Sequence, residues 1–323
     1  MRVGLLGLGR IGMFHATTLS TLVDDLVVSD VDPARAEEVA GRLGARVGDP
    51  FDADAVVIAT PTSTHAEALL RACDRGVPAF CEKPAAPTVA ETQRVREAVR
   101  RSGVAVHIGF QRRFDAGYVA AREALRAGEL GELHRVHLLT ADPEPPAAEY
   151  VALSGGIFRD CHIHDFDILR WVTGREVDTV YATGANRGEA FFAEAGDVDN
   201  SAALMTMDDG TLVTLQGSRY NGAGYDVRME LAGTRSTWAA GLGRRTPLHS
   251  VEGFDPGEEP WPDFQTRFAA AYIAEMHAFL AMARGERESP CTVQDALSAL
   301  HLAEAADLSL REGRPVRLLE VTK

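Results

Sequence analysis

The chain has 323 residues, of which 46% are hydrophobic and 25% charged, and its formal net charge is −14. This length suits two domains better than one simple core. The acidic balance argues against binding to nucleic acids or to anionic membranes, because both partners require a basic face. Four cysteines are scattered without a CxxC motif, which indicates reduced thiols rather than a disulfide framework or a metal site.

No apolar run in the sequence is as long as the roughly 18 residues of a membrane span. The N-terminal apolar stretch is interrupted by glycines too early for a secretory signal. We therefore expect a cytoplasmic protein.

Short apolar runs alternate with helix-compatible segments over the first third of the chain. The predicted strands are residues 2–6, 26–30, 55–59, 77–81 and 104–108, and the predicted helices are residues 13–22, 33–43, 64–75 and 88–102. This alternation predicts a doubly wound parallel sheet, and strands that are apolar on both faces fit a sheet covered by helices on both sides. The sequence therefore predicts an α/β Rossmann domain over residues 1–117.

The pattern changes after residue 117. Predicted helices at 118–126, 160–172, 264–283 and 292–311 surround predicted strands at 133–140, 179–182, 201–207, 211–216 and 225–232. Asp208-Asp209-Gly210 lies between two of these strands and is a hairpin signal. Consecutive strands without crossover helices predict a mostly antiparallel sheet. We assign residues 118–323 to this second, substrate-binding and oligomerisation domain.

A glycine-rich turn follows the first predicted strand. In the pattern Gly7-x-Gly9-x-x-Gly12, the first glycine permits a tight turn, the second lets the backbone approach a pyrophosphate and the third allows close helix packing. Arg10 and Ile11 lie between them, where the helix N-terminus presents N–H groups to the phosphates. A glycine hexamer alone is a weak signal, but here a strand precedes it and a helix follows. The turn predicts dinucleotide binding.

An acid ends the second predicted strand. Asp30 can accept hydrogen bonds from both hydroxyls of the adenosine ribose and would repel a 2′-phosphate. The next residues, Val31 and Asp32, offer no cation to compensate, so the pattern favours NAD over NADP. The alternative for Asp32 is a helix cap, since it precedes Pro33.

Polar residues follow two further strands at their carboxyl ends, where an open parallel sheet binds its ligand. Thr60, Pro61 and His65 follow the third strand and are predicted cofactor contacts, although the threonine could equally cap the next helix. Glu82 and Lys83 follow the fourth strand. An ammonium beside an apolar strand needs a partner, which Glu82 could supply, and the alternative is an exposed lysine at the sheet edge.

The segment from Arg159 to Asp167 contains three aspartates and two histidines. Asp160 and His164 are four residues apart, hence on one face if the segment is helical. Histidine has a pKa close to neutral pH and suits a general base. His164 could instead be a satisfied core histidine, and His162 is the local competitor for the catalytic role.

The order of these motifs, together with Gly109-Phe110-Gln111-Arg112-Arg113-Phe114-Asp115, resembles the glucose-fructose oxidoreductase/inositol dehydrogenase/rhizopine catabolism family. The similarity covers essentially the whole chain and is greatest to the inositol 2-dehydrogenases, as in His164-Asp165-Phe166-Asp167-Ile168-Leu169-x-Trp171. It implies a Rossmann domain followed by an α/β domain on a large open sheet. It also implies a homodimer or homotetramer.

The resemblance also implies roles for single residues. Lys83, Asp160 and His164 would be catalytic, with His164 as the base, Asp160 orienting it and Lys83 donating a hydrogen bond to the reacting oxygen. Gln111 would contact the cofactor, and Arg112 and Tyr225 the substrate. For Arg112 the alternative is that it braces the domain interface together with Asp115.

The sequence departs from the inositol dehydrogenase pattern at Thr140-Ala141-Asp142-Pro143, where only the proline matches well, and at Gln111. Asp142 could bind a hydroxyl or an amine of the substrate. The predicted function is therefore hydride transfer from a secondary alcohol of a cyclitol, hexose or amino-sugar derivative to NAD. The alternatives are a redox-neutral NAD-dependent glycosidase and a non-catalytic NAD-binding regulator.

Overall fold

The computed structural model describes residues 1–253 and 256–322. The chain divides into two units. The first contains Met1–Gln111 and Tyr272–Ser298, and the second contains Arg112–Ala271 and Ala299–Lys323. The first unit ends at Gln111 rather than at the predicted residue 117. It also includes the later segment Tyr272–Ser298, which the prediction placed in the second domain.

The first unit is built on a parallel sheet of six strands in the order β3-β2-β1-β4-β5-β6, which confirms the predicted Rossmann topology. The strands are β1 (Arg2–Leu6), β2 (Asp25–Ser29), β3 (Arg46–Val47), β4 (Ala55–Ile58), β5 (Ala79–Glu82) and β6 (Val106–Gly109). The helices between them are α1 (Arg10–Leu22), α2 (Pro33–Leu43), α3 (His65–Arg75) and α4 (Val89–Ser102).

Local sequence signals set the ends of these helices. The Asp32 side chain accepts the backbone N–H of Ala34 at the start of α2, and Gly44 ends that helix with φ +67°. The capping role considered for Asp32 is thus confirmed. β1 lies between β2 and β4, so the strand order reverses there, and the loops after β1 and β4 open at the edge where such sheets bind nucleotides.

The second unit contains a sheet of seven strands in the order β12-β11-β7-β10-β9-β8-β13. Its strands are β7 (Leu133–Ala141), β8 (Val177–Ala185), β9 (Asn200–Met207), β10 (Leu212–Ser218), β11 (Asp226–Gly233), β12 (Thr237–Ala240) and β13 (Val316–Arg317). All neighbours are antiparallel except β7 and β10, which confirms the predicted mostly antiparallel sheet. The predicted hairpin joins β9 to β10, with Gly210 at φ +88°.

Helices of the remaining chain are mostly short. They are α5 (Ala116–Arg126), α6 (Ala148–Ser154), α7 (Ile157–Asp160), α8 (Ile163–Thr173), α9 (Phe191–Glu194), α10 (Phe264–Arg267), α11 (Ala269–Ala283) and α12 (Val293–Glu312). Met276 and Phe279 of α11 belong to the core of the first sheet, together with Leu5, Val57 and Phe80. No helix within the described part of the chain is long and apolar enough to cross a membrane.

The predicted start of one helix is wrong. Residues 160–172 were expected to form a single helix, but the chain turns at Cys161 and His162, which separate α7 from α8. The N–H of His162 reaches back to the carbonyl of Ile157 at 3.0 Å, five residues earlier, which widens the turn. Asp160 and His164 therefore lie on two different helices rather than on one helical face.

Candidate active site

The glycine-rich turn has the geometry that dinucleotide binding requires. Gly7 lies at φ +93°, and a Cβ there would be 2.7 Å from the carbonyl oxygen of Ala59. A Cβ on Gly12 would be 2.1 Å from the carbonyl oxygen of Gly7. Gly9 precedes α1 and faces open space, so a phosphate can approach its backbone.

Arg10 and Ile11 form the start of α1, at the positive end of its dipole. The turn therefore fits the pyrophosphate of a dinucleotide on steric and electrostatic grounds.

Asp30 is fixed directly after β2. Its Oδ2 accepts the N–H of Leu8 at 2.7 Å, and its Oδ1 accepts the N–H of Asp32 at 2.9 Å. Sequence reasoning missed Arg35, which lies in α2 with its Nη1 3.3 Å from Asp30 Oδ1. A cation therefore does stand beside this carboxylate, although Val31 and Asp32 do not supply it. The signal was a basic residue in the first turn of α2.

Polar groups of the β4 loop contact one another. The ring of His65 lies with Nε2 2.8 Å from the carbonyl oxygen of Thr60 and with Nδ1 2.7 Å from that of Pro84. The Thr64 hydroxyl donates to the hydroxyl of Thr60 at 2.7 Å. Burial lowers the pKa of His65, although both carbonyl groups oppose this shift. Pro61 is exposed at this edge. The cofactor roles predicted for Thr60, Pro61 and His65 stay predictions.

Lys83 follows β5 directly and is half-buried. The preceding Glu82 has a partner that the sequence did not suggest, since its Oε1 lies 2.7 Å from Nε2 of the buried His15. Burial raises the pKa of the Cys81 thiol well above its usual range, so this cysteine stays neutral. Gln111, the remaining predicted cofactor contact, is buried at the start of a short 3₁₀ turn after β6.

In the second unit, a charged network surrounds Asp160. The hydroxyl of Tyr150 donates to Oδ1 of Asp160 at 2.7 Å, and Nη2 of Arg219 donates to Oδ2 at 2.8 Å. Arg219 also donates from Nη1 to Asp142 at 3.2 Å. The Sγ atom of Cys161 lies 3.7 Å from Oδ2 of Asp142, the oxygen that also accepts from Arg219. The predicted residues Asp142 and Asp160 therefore share one cation.

Neither Arg219 nor Tyr150 was anticipated from the sequence. Arg219 follows β10 directly, and Asp142 follows β7; these strands are parallel, with Ser218 opposite Ala141. Because parallel strands end at the same edge, a basic and an acidic residue at their ends come together. Strand pairing would have revealed this contact, but a single sequence does not show which strands pair.

The two histidines of the central segment have different environments. His162 is fully buried, with Nδ1 2.8 Å from Asp165 Oδ2 and Nε2 2.7 Å from the Ser201 hydroxyl. It is a satisfied core histidine, and Gly217 leaves space for its ring, because a Cβ there would be 2.3 Å from Nε2. His164 is half-buried on the first turn of α8. This difference favours His164 over His162 as the residue that reaches a ligand.

Arg112 is buried and pairs with Asp165 at 2.5 Å, while its Nη2 donates to the Thr140 hydroxyl at 3.1 Å. Burial opposes the charge on Asp165, but Arg112 and His162 outweigh burial and lower the pKa of Asp165. The Asp115 carboxylate pairs with Arg267 at 2.7 Å, and the alternative role of Arg112 together with Asp115 stays a prediction.

The remaining predicted substrate residues are Tyr225 and Asp142. Burial raises the pKa of both. Tyr225 is held by its backbone N–H, which donates to the carbonyl of Trp261 at 3.1 Å. The positive charge of Arg112 opposes this rise of the Tyr225 pKa, and the negative charge of Asp142 adds to it. The substrate roles of these residues and of Arg112 stay predictions.

Comparisons with known proteins agree with this geometry. A family model described as "Oxidoreductase family, NAD-binding Rossmann fold" matches residues 1–110, and one described as "GFO/IDH/MocA C-terminal domain" matches residues 118–239. The chain is 36% identical to scyllo-inositol 2-dehydrogenase (NAD(+)) of Bacillus subtilis, with 98% of this chain and 96% of that protein covered.

Two solved structures extend the similarity to three dimensions. A probable dehydrogenase from Thermotoga maritima superposes with a TM-score of 0.93 at 33% identity, covering 99% of this chain and 100% of the other. Scyllo-inositol dehydrogenase from Lactobacillus casei, solved with bound NAD(H) and scyllo-inositol, superposes with a TM-score of 0.89 at 28% identity and 99% coverage of both chains.

Proposed function

The chain belongs to the GFO/IDH/MocA oxidoreductase family, and from this premise we propose that it oxidises a ring hydroxyl of a cyclitol of the inositol class with NAD. Relatives whose names state inositol dehydrogenation cover almost the whole chain. The redox-neutral glycosidase and the non-catalytic regulator are not favoured by these relatives. The expected homodimer or homotetramer stays a prediction.

The bracing of Asp160 is the observation that carries the proposal. Tyr150 and Arg219 each hold one of its carboxylate oxygens, at 2.7 and 2.8 Å, four residues before the half-buried His164. A carboxylate fixed in this way suits the role proposed for Asp160, which is to orient the imidazole of His164 and stabilise its protonated form. A core histidine such as His162 needs no such support, because its two ring nitrogens are already satisfied by Asp165 and Ser201.

The proposed roles follow from the chemistry of each side chain. When bound, NAD supplies the acceptor for the hydride that leaves the carbinol carbon. His164 accepts the hydroxyl proton while the C–O bond becomes a carbonyl. Lys83 donates a hydrogen bond to the reacting oxygen and stabilises its developing negative charge. The same groups reduce the ketone in the reverse direction, with His164 returning the proton.

The test is NADH formation, followed by its near-ultraviolet absorbance, with NAD or NADP and a panel of inositols, hexoses and amino cyclitols. We expect turnover with NAD on at least one inositol. His164→Gln should lower kcat by about 10²–10⁴-fold, the usual contribution of a general base. Lys83→Ala should lower it by about 10²–10³-fold, the usual contribution of one donor to a developing oxyanion. NADH binding, measured by fluorescence, should change little in either variant.

The matched control for the histidine is His134→Gln, because His134 is exposed on β7. It should keep full activity. A Lys83→Ala variant with unchanged turnover would contradict the catalytic role of this lysine. If no compound of the panel gave NADH, the assignment would shift to the glycosidase or the regulator.

A further inference from the structure

We propose that two buried histidines, His15 and His65, are positioning residues that hold the Glu82-Lys83-Pro84 turn from both sides. They would fix the place of the Lys83 ammonium without touching the substrate. This inference rests on the proposed catalytic role of Lys83. All the residues involved belong to the first unit.

His65 anchors the turn on its C-terminal side. Its side chain is buried, with only 1% of the residue exposed, and both ring nitrogens face carbonyl oxygens, Pro84 at 2.7 Å and Thr60 at 2.8 Å. A carbonyl oxygen only accepts hydrogen bonds, so the neutral imidazole donates to one of the two carbonyls and the protonated imidazole donates to both. In either form the ring lies between the carbonyl of the residue after Lys83 and that of the loop that follows the neighbouring strand β4.

His15 anchors the turn on its N-terminal side. It lies on α1, is fully buried and has Nε2 2.7 Å from Oε1 of Glu82. Because a carboxylate only accepts, the proton lies on Nε2. Nδ1 has no partner among residues 1–253 and 256–322. The ring also packs edge-on against Phe80, with ring centroids 5.4 Å apart, so its direction is set by β5 itself.

The residues before and after Lys83 are thus each held by a histidine. Reacting groups tolerate little displacement, and a shift of about 1 Å can cost about 10²-fold in rate. Loss of either histidine should therefore lower kcat more than it changes the affinity for the cofactor. A direct cofactor contact by His65 would give the opposite pattern, because loss of the ring would then weaken NADH binding more than it lowers kcat.

The experiment compares His15→Leu and His65→Leu with His15→Gln and His65→Gln in the full-length protein. Leucine removes the donor, whereas glutamine keeps one N–H near the position of Nε2. We expect a loss of kcat of about 10–100-fold in the leucine variants, with partial recovery in the glutamine variants. KM and the dissociation constant of NADH should stay within about threefold.

The control is His301→Leu, since His301 is also a buried histidine but lies on α12 and belongs to the second unit. It should lower the melting temperature but keep kcat per folded molecule. A double variant, His65→Leu with Lys83→Ala, should be no slower than Lys83→Ala alone, because the histidine acts through the lysine. If His65 had only a structural role, its replacement would lower kcat further in the double variant.

The outcomes separate this inference from the proposed function. If Lys83→Ala keeps its activity, the role of the lysine fails. If Lys83→Ala is inactive while both histidine variants match the His301 control, only the positioning role is overturned. Weakened NADH binding with unchanged kcat would overturn it in favour of a cofactor contact. If the leucine variants do not fold, the glutamine variants decide, with an expected loss of about tenfold at position 65, where one of two contacts is kept.

Discussion

Nη2 of Arg219 lies 2.8 Å from Oδ2 of Asp160 and holds this carboxylate at the end of α7. The same guanidinium reaches Asp142 through Nη1 at 3.2 Å, although the two aspartates are separated by eighteen positions in the sequence. One buried cation therefore organises two residues of the proposed substrate site.

Replacing Arg219 should separate stability from catalysis. Arg219→Leu leaves two carboxylates without their buried cation and should destabilise the fold by about 3 kcal/mol. Arg219→Lys keeps the charge, but an ammonium cannot match the fork that serves both aspartates, so we expect a folded protein with at least about tenfold lower kcat. Steady-state kinetics and thermal unfolding measure both effects. Arg100→Lys, in an exposed pair with Glu97, is the control and should change neither quantity.

Asp142→Asn should change the preference among substrates. Oδ2 of Asp142 accepts from Arg219, whereas Oδ1 accepts no hydrogen bond from the described residues. If this free oxygen binds an ammonium group of the substrate, the amide should lower kcat/KM for amino cyclitols by about tenfold, the value of a charge-assisted hydrogen bond. The same ratio for neutral inositols should change little. An equal loss of kcat/KM for both substrate classes would show that Asp142 does not bind the amine.

Asp30→Ser should relax the selection against NADP. The serine removes the charge that repels a 2′-phosphate and releases Arg35, whose Nη1 lies 3.3 Å from the carboxylate. We expect NADPH to bind at least about tenfold more tightly, which corresponds to about 1.4 kcal/mol. Calorimetric titration of the full-length protein measures this constant. Adding Arg35→Ala should cancel the gain, whereas adding Arg42→Ala, on the same helix but exposed, should preserve it.

Asp307 should make stability depend on pH between about 4 and 6. Burial raises the pKa of Asp307 to about 6, although Arg159, with Nε 3.0 Å away, opposes the shift. In the unfolded chain the pKa is about 3.9, so the folded state binds a proton that the unfolded state releases. The contribution of this group is complete below about pH 4 and is lost as the pH rises through about 6, by roughly 3 kcal/mol at most.

The measurement is the midpoint of urea unfolding from acid to neutral pH for the wild type and Asp307→Asn. In Asp307→Asn the midpoint should no longer fall between about pH 4 and 6, so the variant should become more stable relative to the wild type as the pH rises. Glu304→Gln, which removes the other acid near Arg159, is the control and should keep the wild-type slope. A slope shared by all three proteins would contradict the role of Asp307.

The first sheet illustrates what local patterns reveal. Each predicted strand there overlaps an observed one, because apolar runs that end in glycine, acid or proline are bounded by their own neighbours in sequence. The same holds for Gly7 and Gly12, whose backbone conformation and close contacts follow from the spacing of the motif. The elements that the sequence missed, such as β3, β12 and β13, are two to four residues long and too short to show a period.

The central segment shows where local patterns fail. The spacing of Asp160 and His164 suggested one helix, but the side chain of His162 is buried between Asp165 and Ser201, and the chain turns to place it there. Burial of a polar ring needs partners from other elements, and Ser201 belongs to a strand almost forty residues away. Helical spacing carries no information about such a partner.

By itself the sequence determined the family, the parallel and antiparallel sheets and most of the residues proposed for the site, because these depend on short motifs and on apolar periodicity. Only the tertiary structure decided the partners of those residues: Arg219 for Asp142 and Asp160, His15 for Glu82, and Asp165 for Arg112. These contacts join residues that are distant in the chain. Packing of the strands and helices removes these charged groups from water, which is costly unless each group is paired, and no local pattern records which partner the packing supplies.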